Sequence, residues 1–308
     1  MIQFITIDAN PVPSGAEIAQ FTADDGGVLR YAIFPKTNSH GTIILQTGWS
    51  EFIEKYFETV DDLRERGWSV AMMDWRGQGL SDRARDTERD WRGYFSRLHS
   101  DLHGFTQDIV APRMPGPLHL MTHSMGGLPG LKILASGTDL YKSAVLCAPM
   151  TRLFPPVTSL GYRAGTELAC LAGMANTGVN AGSDDSRQFA GNMFTTDERR
   201  HSRFRLLQER EPAACVNSPT YGWVRESILE SNRLHKPDAF ADLKTPTLIV
   251  SAGAERRIDG SDHQNIAALS PHISVERIDG ALHEIMMERD ELRDQFLTTA
   301  DNFLRAHQ

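Results

Sequence analysis

The chain has no run approaching the roughly 18 consecutive apolar residues of a membrane span. Its first residues, Met1-Ile2-Gln3-Phe4, do not form the basic start and apolar stretch of a secretory leader, so a cytoplasmic protein is expected. Cysteine is scarce: Cys147, Cys170 and Cys215 are widely spaced, match no zinc pattern and leave one thiol over in any pairing, and they read as buried thiols. Basic charge is short as well. Lys and Arg total 32 against 40 Asp and Glu, a formal net charge of −8, and no basic stripe interleaved with aromatics appears, which argues against nucleic acid as a partner. Internal repeats and low-complexity tracts are missing too. What the chain does have is apolar mass: 40% of its 308 residues are hydrophobic and 8% aromatic, enough for one large core with a sizeable insertion.

Apolar β-rich runs at 28–34, 42–46, 69–74, 118–122, 144–147, 247–251 and 273–278 alternate with helical patterns, which predicts a wound α/β sheet. The helical stretches include 53–65, with Phe57, Val60 and Leu63 at helical spacing, 98–109, with Leu102, Phe105 and Ile109 on one face, and a last helix at about 291–306.

Within this frame His123-Ser124-Met125-Gly126-Gly127 follows the apolar run Leu118-His119-Leu120-Met121 and reads as a serine on a strand-to-helix turn. Small residues two before and two after such a serine keep the chain from colliding with itself. Gly126 satisfies this; Thr122 departs from it. An ordinary Ser-Met-Gly-Gly loop is the competing reading. The chain order that follows favours chemistry: Thr247-Leu248-Ile249-Val250-Ser251 ends in Ala252-Gly253-Ala254-Glu255, and 273–278 ends in Asp279-Gly280-Ala281-Leu282-His283. Serine, carboxylate and imidazole thus each leave the end of a strand, in the order Ser, Glu, His. A serine hydroxyl is a weak nucleophile at neutral pH, so His283 would take its proton and later return it, while Glu255 would hold the tautomer. Asp259, four residues on, competes with Glu255 for that role. The tetrahedral intermediate needs two backbone N–H donors. Met125 supplies one candidate, and Trp49, in Thr47-Gly48-Trp49-Ser50-Glu51 after the 42–46 strand, the other. A plain connection with Gly48 kept for its backbone freedom is the alternative there.

With these pieces in place, the chain resembles the lysophospholipase and monoacylglycerol lipase branch of the α/β-hydrolases over nearly its whole length. The likeness is carried by Gly48-Trp49-Ser50-Glu51 with Lys55-Tyr56, by Asp74-Trp75-Arg76-Gly77-Gln78-Gly79-Leu80-Ser81, by the segment around Ser124, and by Ala148-Pro149-Met150. The Gln78 variant resembles the bacterial lysophospholipases. The family commonly has His-Gly where this chain has Thr47-Gly48, and Gly or Ala where it has Thr122. The resemblance implies an α/β-hydrolase fold, a mostly parallel central sheet flanked by helices with a helical cap insertion. It also implies a mainly structural role for Glu51, Asp74 and Arg76, which would hold the loops around the site.

The core would comprise residues 1–150 and 236–308 and the cap residues 151–235, where the rhythm of strands breaks. Pro155-Pro156 would open the cap, a helix around 163–174 would carry Ala164, Leu168 and Leu171 on one face, and Ser218-Pro219 would begin another carrying Val224, Ile228 and Leu229. These residues either line an acyl pocket or pack the cap on the core. Residues 178–186, rich in Gly, Asn, Ser and Asp, read as a mobile loop at the cap edge. Arg199, Arg200, Arg203 and Arg205 could meet a lipid phosphate or form a solvated face interleaved with Glu209 and Glu211. Without a long stripe of large apolar residues in the cap, single-chain or smaller esters are expected rather than bulk triglyceride. His283-Glu284-Ile285-Met286-Met287 has Met287 where a zinc-protease helix needs a second His, so no metal site is expected, and no cofactor. The expected activity is serine carboxylic-ester hydrolysis through an acyl-enzyme on Ser124, on monoacylglycerols or lysophospholipids. An esterase, amidase or lactonase of small soluble substrates on the same residues is the alternative, and a non-catalytic ligand-binding homologue a further one. A transient contact of the cap with a membrane surface and the oligomeric state stay open.

Overall fold

The computed structural model describes residues 2–82, 91–153, 157, 159–179, 188–216 and 218–308. Eight strands form one sheet: β1 (Glu17–Thr22), β2 (Val28–Phe34), β3 (Thr42–Gln46), β4 (Ser69–Met73), β5 (Leu118–His123), β6 (Ser143–Cys147), β7 (Thr247–Ala252) and β8 (Ile273–Ile278). Their spatial order is β1-β2-β4-β3-β5-β6-β7-β8. β1 and β2 run antiparallel to each other and β2 antiparallel to β4; every later pairing is parallel. The central strands read as apolar runs because both their faces are covered. Ile44, Leu120, Leu146 and Ile249 point into one core cluster, and Ile43, Met121, Val145 and Val250 into the other.

The helices are α1 (Phe57–Glu65), α2 (Tyr94–Gly104), α3 (Gly127–Ala135), α4 (Leu160–Leu171), α5 (Glu198–Arg210), α6 (Tyr221–Leu234), α7 (Asp262–Ala267) and α8 (Asp290–Ala306). Phe57, Val60 and Leu63 of α1 and Phe296, Leu297, Ala300 and Leu304 of α8 close one face of the sheet. Leu98 and Leu102 of α2, Leu131 and Leu134 of α3 and Val224 and Ile228 of α6 close the other. The 53–65 pattern divides into a 3₁₀ turn at Ile53–Tyr56 and then α1. α2 begins four residues before the predicted 98 and passes into a π turn at Phe105–Val110.

Residues 151–235 contribute α4, α5 and α6 and, among the described residues, no strand beyond isolated bridges such as Gly178 to Thr220. Val224 and Ile228 of α6 are buried in the core cluster, the packing role of the two readings. Leu168 and Leu171 do neither: they are 68% and 73% exposed and, with Leu160 at 82%, form a short outward stripe on α4. Pro155-Pro156 and most of the predicted 178–186 loop lie outside the described residues. Of the thiols only Cys147 is fully buried; Cys170, on α4, and Cys215, in the segment after α5, are partly exposed, and all three are free. No helix among the described residues is long and apolar enough to cross a membrane.

Candidate active site

β3, β5, β7 and β8 end on the same edge of the parallel sheet, the edge beyond which ligands bind in open α/β folds. Ser124 follows β5 directly. Its φ of +50° puts a non-glycine residue in the left-handed region, the strain of a sharp strand-to-helix turn, before the chain enters a 3₁₀ turn and α3. A Cβ on Gly126 would stand 2.7 Å from the Thr47 carbonyl oxygen, which explains why this position must be bare. The departure at Thr122 is absorbed across the sheet–helix interface: a Cβ on Gly130 of α3 would lie only 3.0 Å from the Thr122 Cγ2 methyl, so the bare Gly130 makes the room.

The Ser124 Oγ lies 2.7 Å from His283 Nε2, and His283 Nδ1 lies 2.7 Å from Glu255 Oε2. Ser124 is 9% and His283 4% exposed. Glu255 is fixed from behind, because its Oε1 accepts the backbone N–H groups of Arg256 at 2.8 Å and Arg257 at 2.7 Å. Burial raises the proton affinity of this carboxyl, but the attraction and hydrogen bond of His283 and the two N–H groups outweigh it, and the group is held below the usual carboxylate range. Asp259 is turned elsewhere. Its Oδ1 accepts the Ser261 hydroxyl at 2.5 Å and its backbone N–H donates to the Arg152 carbonyl, so the structure brings Glu255, not Asp259, to the imidazole.

The 47–51 loop holds its N–H groups in distinct ways. Gly48 N–H donates to Glu51 Oε2 at 2.5 Å and Ser50 N–H donates to Gln78 Oε1, while the Trp49 N–H between them has no hydrogen-bond partner among the described residues. Gln78 also approaches Met125, its Nε2 lying 3.4 Å from the Met125 Sδ. The Trp49 ring packs on Trp223 of α6, centroids 5.7 Å apart, and Ser50 Oγ donates to the Val216 carbonyl at 2.8 Å. Across the edge, Glu284 N–H donates to the Phe194 carbonyl at 2.8 Å. The 151–235 segment therefore touches both the 47–51 loop and the loop of His283.

Sequence reasoning left the role of His123, Tyr56 and Glu284 unread. All three converge with Glu51 and Lys55 behind the serine: Glu51 Oε2 accepts Tyr56 O–H at 2.6 Å and Glu51 Oε1 accepts Lys55 Nζ at 2.7 Å, and Lys55 Nζ lies 2.6 Å from Glu284 Oε1. Asp74 ties loops by accepting Ile53 N–H at 3.0 Å and Leu80 N–H at 2.8 Å, and Arg76 pairs with Asp101 and Asp25. Two arginines of α5 take a third course, while the Arg199 side chain stays 65% exposed as on a solvated face. Arg200, 3% exposed, is saturated by Glu58, Asp197, Asp290 and the Glu288 carbonyl, and Arg203 pairs with Glu58. The saturated Arg200 guanidinium has no donor left for a phosphate, and the counter-charges of the pair come mainly from α1 and the start of α8 rather than from Glu209 and Glu211. Among the described residues no group of three or more His, Cys, Asp and Glu gathers as a metal would require.

Against known proteins, the family model described as serine aminopeptidase, S33, matches residues 37–290. Lysophospholipase L2 of Escherichia coli K12 is 30% identical over 299 residues, covering 94% of this chain and 87% of that protein. Among solved structures, a soluble variant of monoglyceride lipase from Saccharomyces cerevisiae in complex with a substrate analog superposes with a TM-score of 0.75 at 17% identity, covering 96% and 97% of the two chains. The monoacylglycerol lipase of Paleococcus ferrophilus gives 0.68 at 18% identity over 91% and 99%. These structural likenesses establish the α/β-hydrolase fold.

Proposed function

We infer the function from the premise that this chain belongs to the serine aminopeptidase S33 family and is a hydrolase of the lysophospholipase and monoglyceride lipase type. We propose that it cleaves carboxylic esters of monoacylglycerols or lysophospholipids through an acyl-enzyme on Ser124, with His283 as base and acid and Glu255 as the group that orients it. One observation carries this reading: the unbroken row from Glu255 Oε2 to His283 Nδ1 and from His283 Nε2 to Ser124 Oγ, each step 2.7 Å. With Nδ1–H donated to Glu255, the Nε2 lone pair faces the serine hydroxyl and takes its proton as Oγ attacks the ester carbonyl. The oxyanion that forms accepts the Trp49 and Met125 N–H groups. The imidazolium, its charge balanced by Glu255, then returns the proton to the departing glycerol or glycerophosphate oxygen. Water repeats the sequence on the acyl-enzyme and releases the fatty acid.

Residues 151–235 act in this reading as the cap over the site, supported by the contact of Trp223 with Trp49. The outward leucines of α4 support a transient contact of that cap with the lipid surface from which substrate is drawn. The lipid class is supported by the 30% identity to a lysophospholipase over 94% of the chain. The test is intact-mass spectrometry after treatment with a fluorophosphonate, followed by p-nitrophenyl esters of increasing chain length. A single adduct that disappears in Ser124→Ala, with turnover rising toward long acyl chains, is expected. No adduct, or a maximum at the shortest esters, refutes the reaction or the substrate class respectively.

A further inference from the structure

One buried imidazole next to the nucleophile is used by no step of this reaction. His123 precedes Ser124 in the chain, is 2% exposed, and its ring lies 5.1 Å from that of His283. Its Nε2 faces the backbone carbonyl oxygen of His283 at 3.2 Å. Its Nδ1 faces Glu51 Oε2 at 3.1 Å and the Tyr56 hydroxyl at 3.2 Å. A carbonyl oxygen only accepts, so Nε2 carries a proton. Glu51 Oε2 already accepts from the Gly48 N–H and from Tyr56, whose single hydroxyl proton is thereby committed at 2.6 Å. An acceptor of that kind, an ionised carboxylate, faces Nδ1, so Nδ1 donates too.

Charge balance agrees. The titratable groups around this ring are Glu51, Lys55 and Tyr56 from the segment leading into α1, and Glu284 and the His283 imidazole from the loop after β8. Lys55 alone leaves the two carboxylates one positive charge short, and a protonated His123 supplies it. Burial by itself would push the His123 proton affinity down; Glu51 and Glu284 reverse that and raise it above the ordinary value.

We propose that His123 is a positioning residue for the reaction, a step that rests on the roles assigned above to Ser124, His283 and Trp49. Through Glu51 it is tied to the loop of Gly48 and Trp49, through the His283 carbonyl to the loop of the base, and through its own peptide bond to the nucleophile. One ring therefore sets the oxyanion donor and the imidazole in register with Ser124. It touches neither substrate nor reacting atoms. Its contribution is geometric, and misplacing a reacting group by about 1 Å costs on the order of 100-fold in rate.

The experiment measures the rate of fluorophosphonate labelling at Ser124 against pH in the wild type and in His123→Gln, together with the nitrogen NMR spectrum of histidine-labelled wild type. A His123 ring with both nitrogens protonated at about pH 7.5, and labelling slowed on the order of 100-fold in the variant, is the expected result. A singly protonated ring, or a folded variant labelled at the wild-type rate, overturns the proposal. Should the variant not fold, the wild type decides alone: labelling must fall as the His123 ring loses its proton at alkaline pH, and labelling unchanged through that titration overturns it. A wild type that takes no adduct at Ser124 refutes the reaction itself, an outcome distinct from failure of the role of His123.

Discussion

Replacing Glu255 by Gln removes one charge and almost no volume, and the surroundings dictate what the amide must do. Glu255 Oε1 accepts the backbone N–H groups of Arg256 and Arg257 and, at 3.4 Å, that of Ile258. The amide oxygen of Gln has to take that place, since turning the NH₂ toward these donors would set donor against donor and break the bonds. The NH₂ then faces His283 Nδ1. Nδ1 must become an acceptor, the ring proton moves to Nε2, and that N–H points at the Ser124 oxygen 2.7 Å away. The tautomer is wrong for taking the serine proton, and the imidazolium loses its counter-charge. Where the same change has been made in a serine-imidazole-carboxylate row, kcat falls about 10⁴-fold, which corresponds to about 5 kcal/mol of transition-state stabilisation. The assay is kcat on a p-nitrophenyl ester, with Asp259→Asn alongside. Asp259 has Ser261 as its partner and no bond to His283, so that change is expected to leave kcat within about twofold, as for an exposed substitution away from the site. A Glu255→Gln enzyme that keeps more than about a tenth of the wild-type kcat, against the loss just worked out, would sink the assignment, as would an equal loss in Asp259→Asn.

Two further outcomes concern the frame. Gly130→Val places a branched side chain where even a Cβ would stand only 3.0 Å from the Thr122 methyl, and overpacking of this kind costs about 1–3 kcal/mol. Urea unfolding should show that loss and its partial recovery in the double change with Thr122→Ala; an unshifted midpoint refutes the packing account. Asp262→Asn breaks the contact of α7 with His235 at the end of α6, where the carboxylate lies 2.8 Å from Nε2. Burial opposes ionisation of Asp262, but His235 and neighbouring donors lower its pKa from 3.8 to about 2, worth about 2 kcal/mol. That part is present above about pH 4 and fades as pH falls toward 2. The hydrogen bond of Asp262 raises His235 above its ordinary 6.5, so its part is complete below that value and is lost as pH rises through the raised one. The difference in thermal midpoint between wild type and variant should therefore peak between about pH 4 and 6.5, and a difference that is flat with pH counts against the pair.

Seven of the eight strands were legible to within a residue, because strands buried on both faces are apolar runs that stand out from their flanks. β1 was not: Glu17–Thr22 is a half-exposed edge strand whose polar Glu17 and Gln20 interrupt any such run. The order of Ser124, Glu255 and His283 was legible because each leaves a readable strand. The preference for Glu255 over Asp259 was not, since it is decided by which carboxylate the N–H groups of Arg256 and Arg257 pin beside the ring. The role proposed for His123 was hidden for a similar reason: its partners Glu51, Tyr56 and the His283 carbonyl come from two segments that only the fold brings together. The pairing of Arg200 and Arg203 was hidden because their acids sit on α1 and the start of α8, distant in sequence.

The buried ions beneath the site make sense as holders of backbone more than as sources of stability. Arg30, fully buried, pairs with Glu54 at 2.8 Å and Asp74 at 2.6 Å, an arrangement that apolar residues of equal volume often match in stability. Apolar residues could not, however, accept N–H groups. Glu54 accepts the N–H of Ile5, and Asp74 accepts those of Ile53 and Leu80, pinning the segment that enters α1 and the 74–81 loop. From that loop Gln78 reaches the Ser50 N–H on one side and the Met125 sulfur on the other, beside both proposed oxyanion donors. Position thus passes from Arg30 to Asp74, to Gln78, and from there to the residues flanking Trp49 and the nucleophile. A charge deep in the sheet and a glutamine on a loop serve the same end in this proposal, which is to hold the Trp49 N–H, unpartnered among the described residues, where the oxyanion would form.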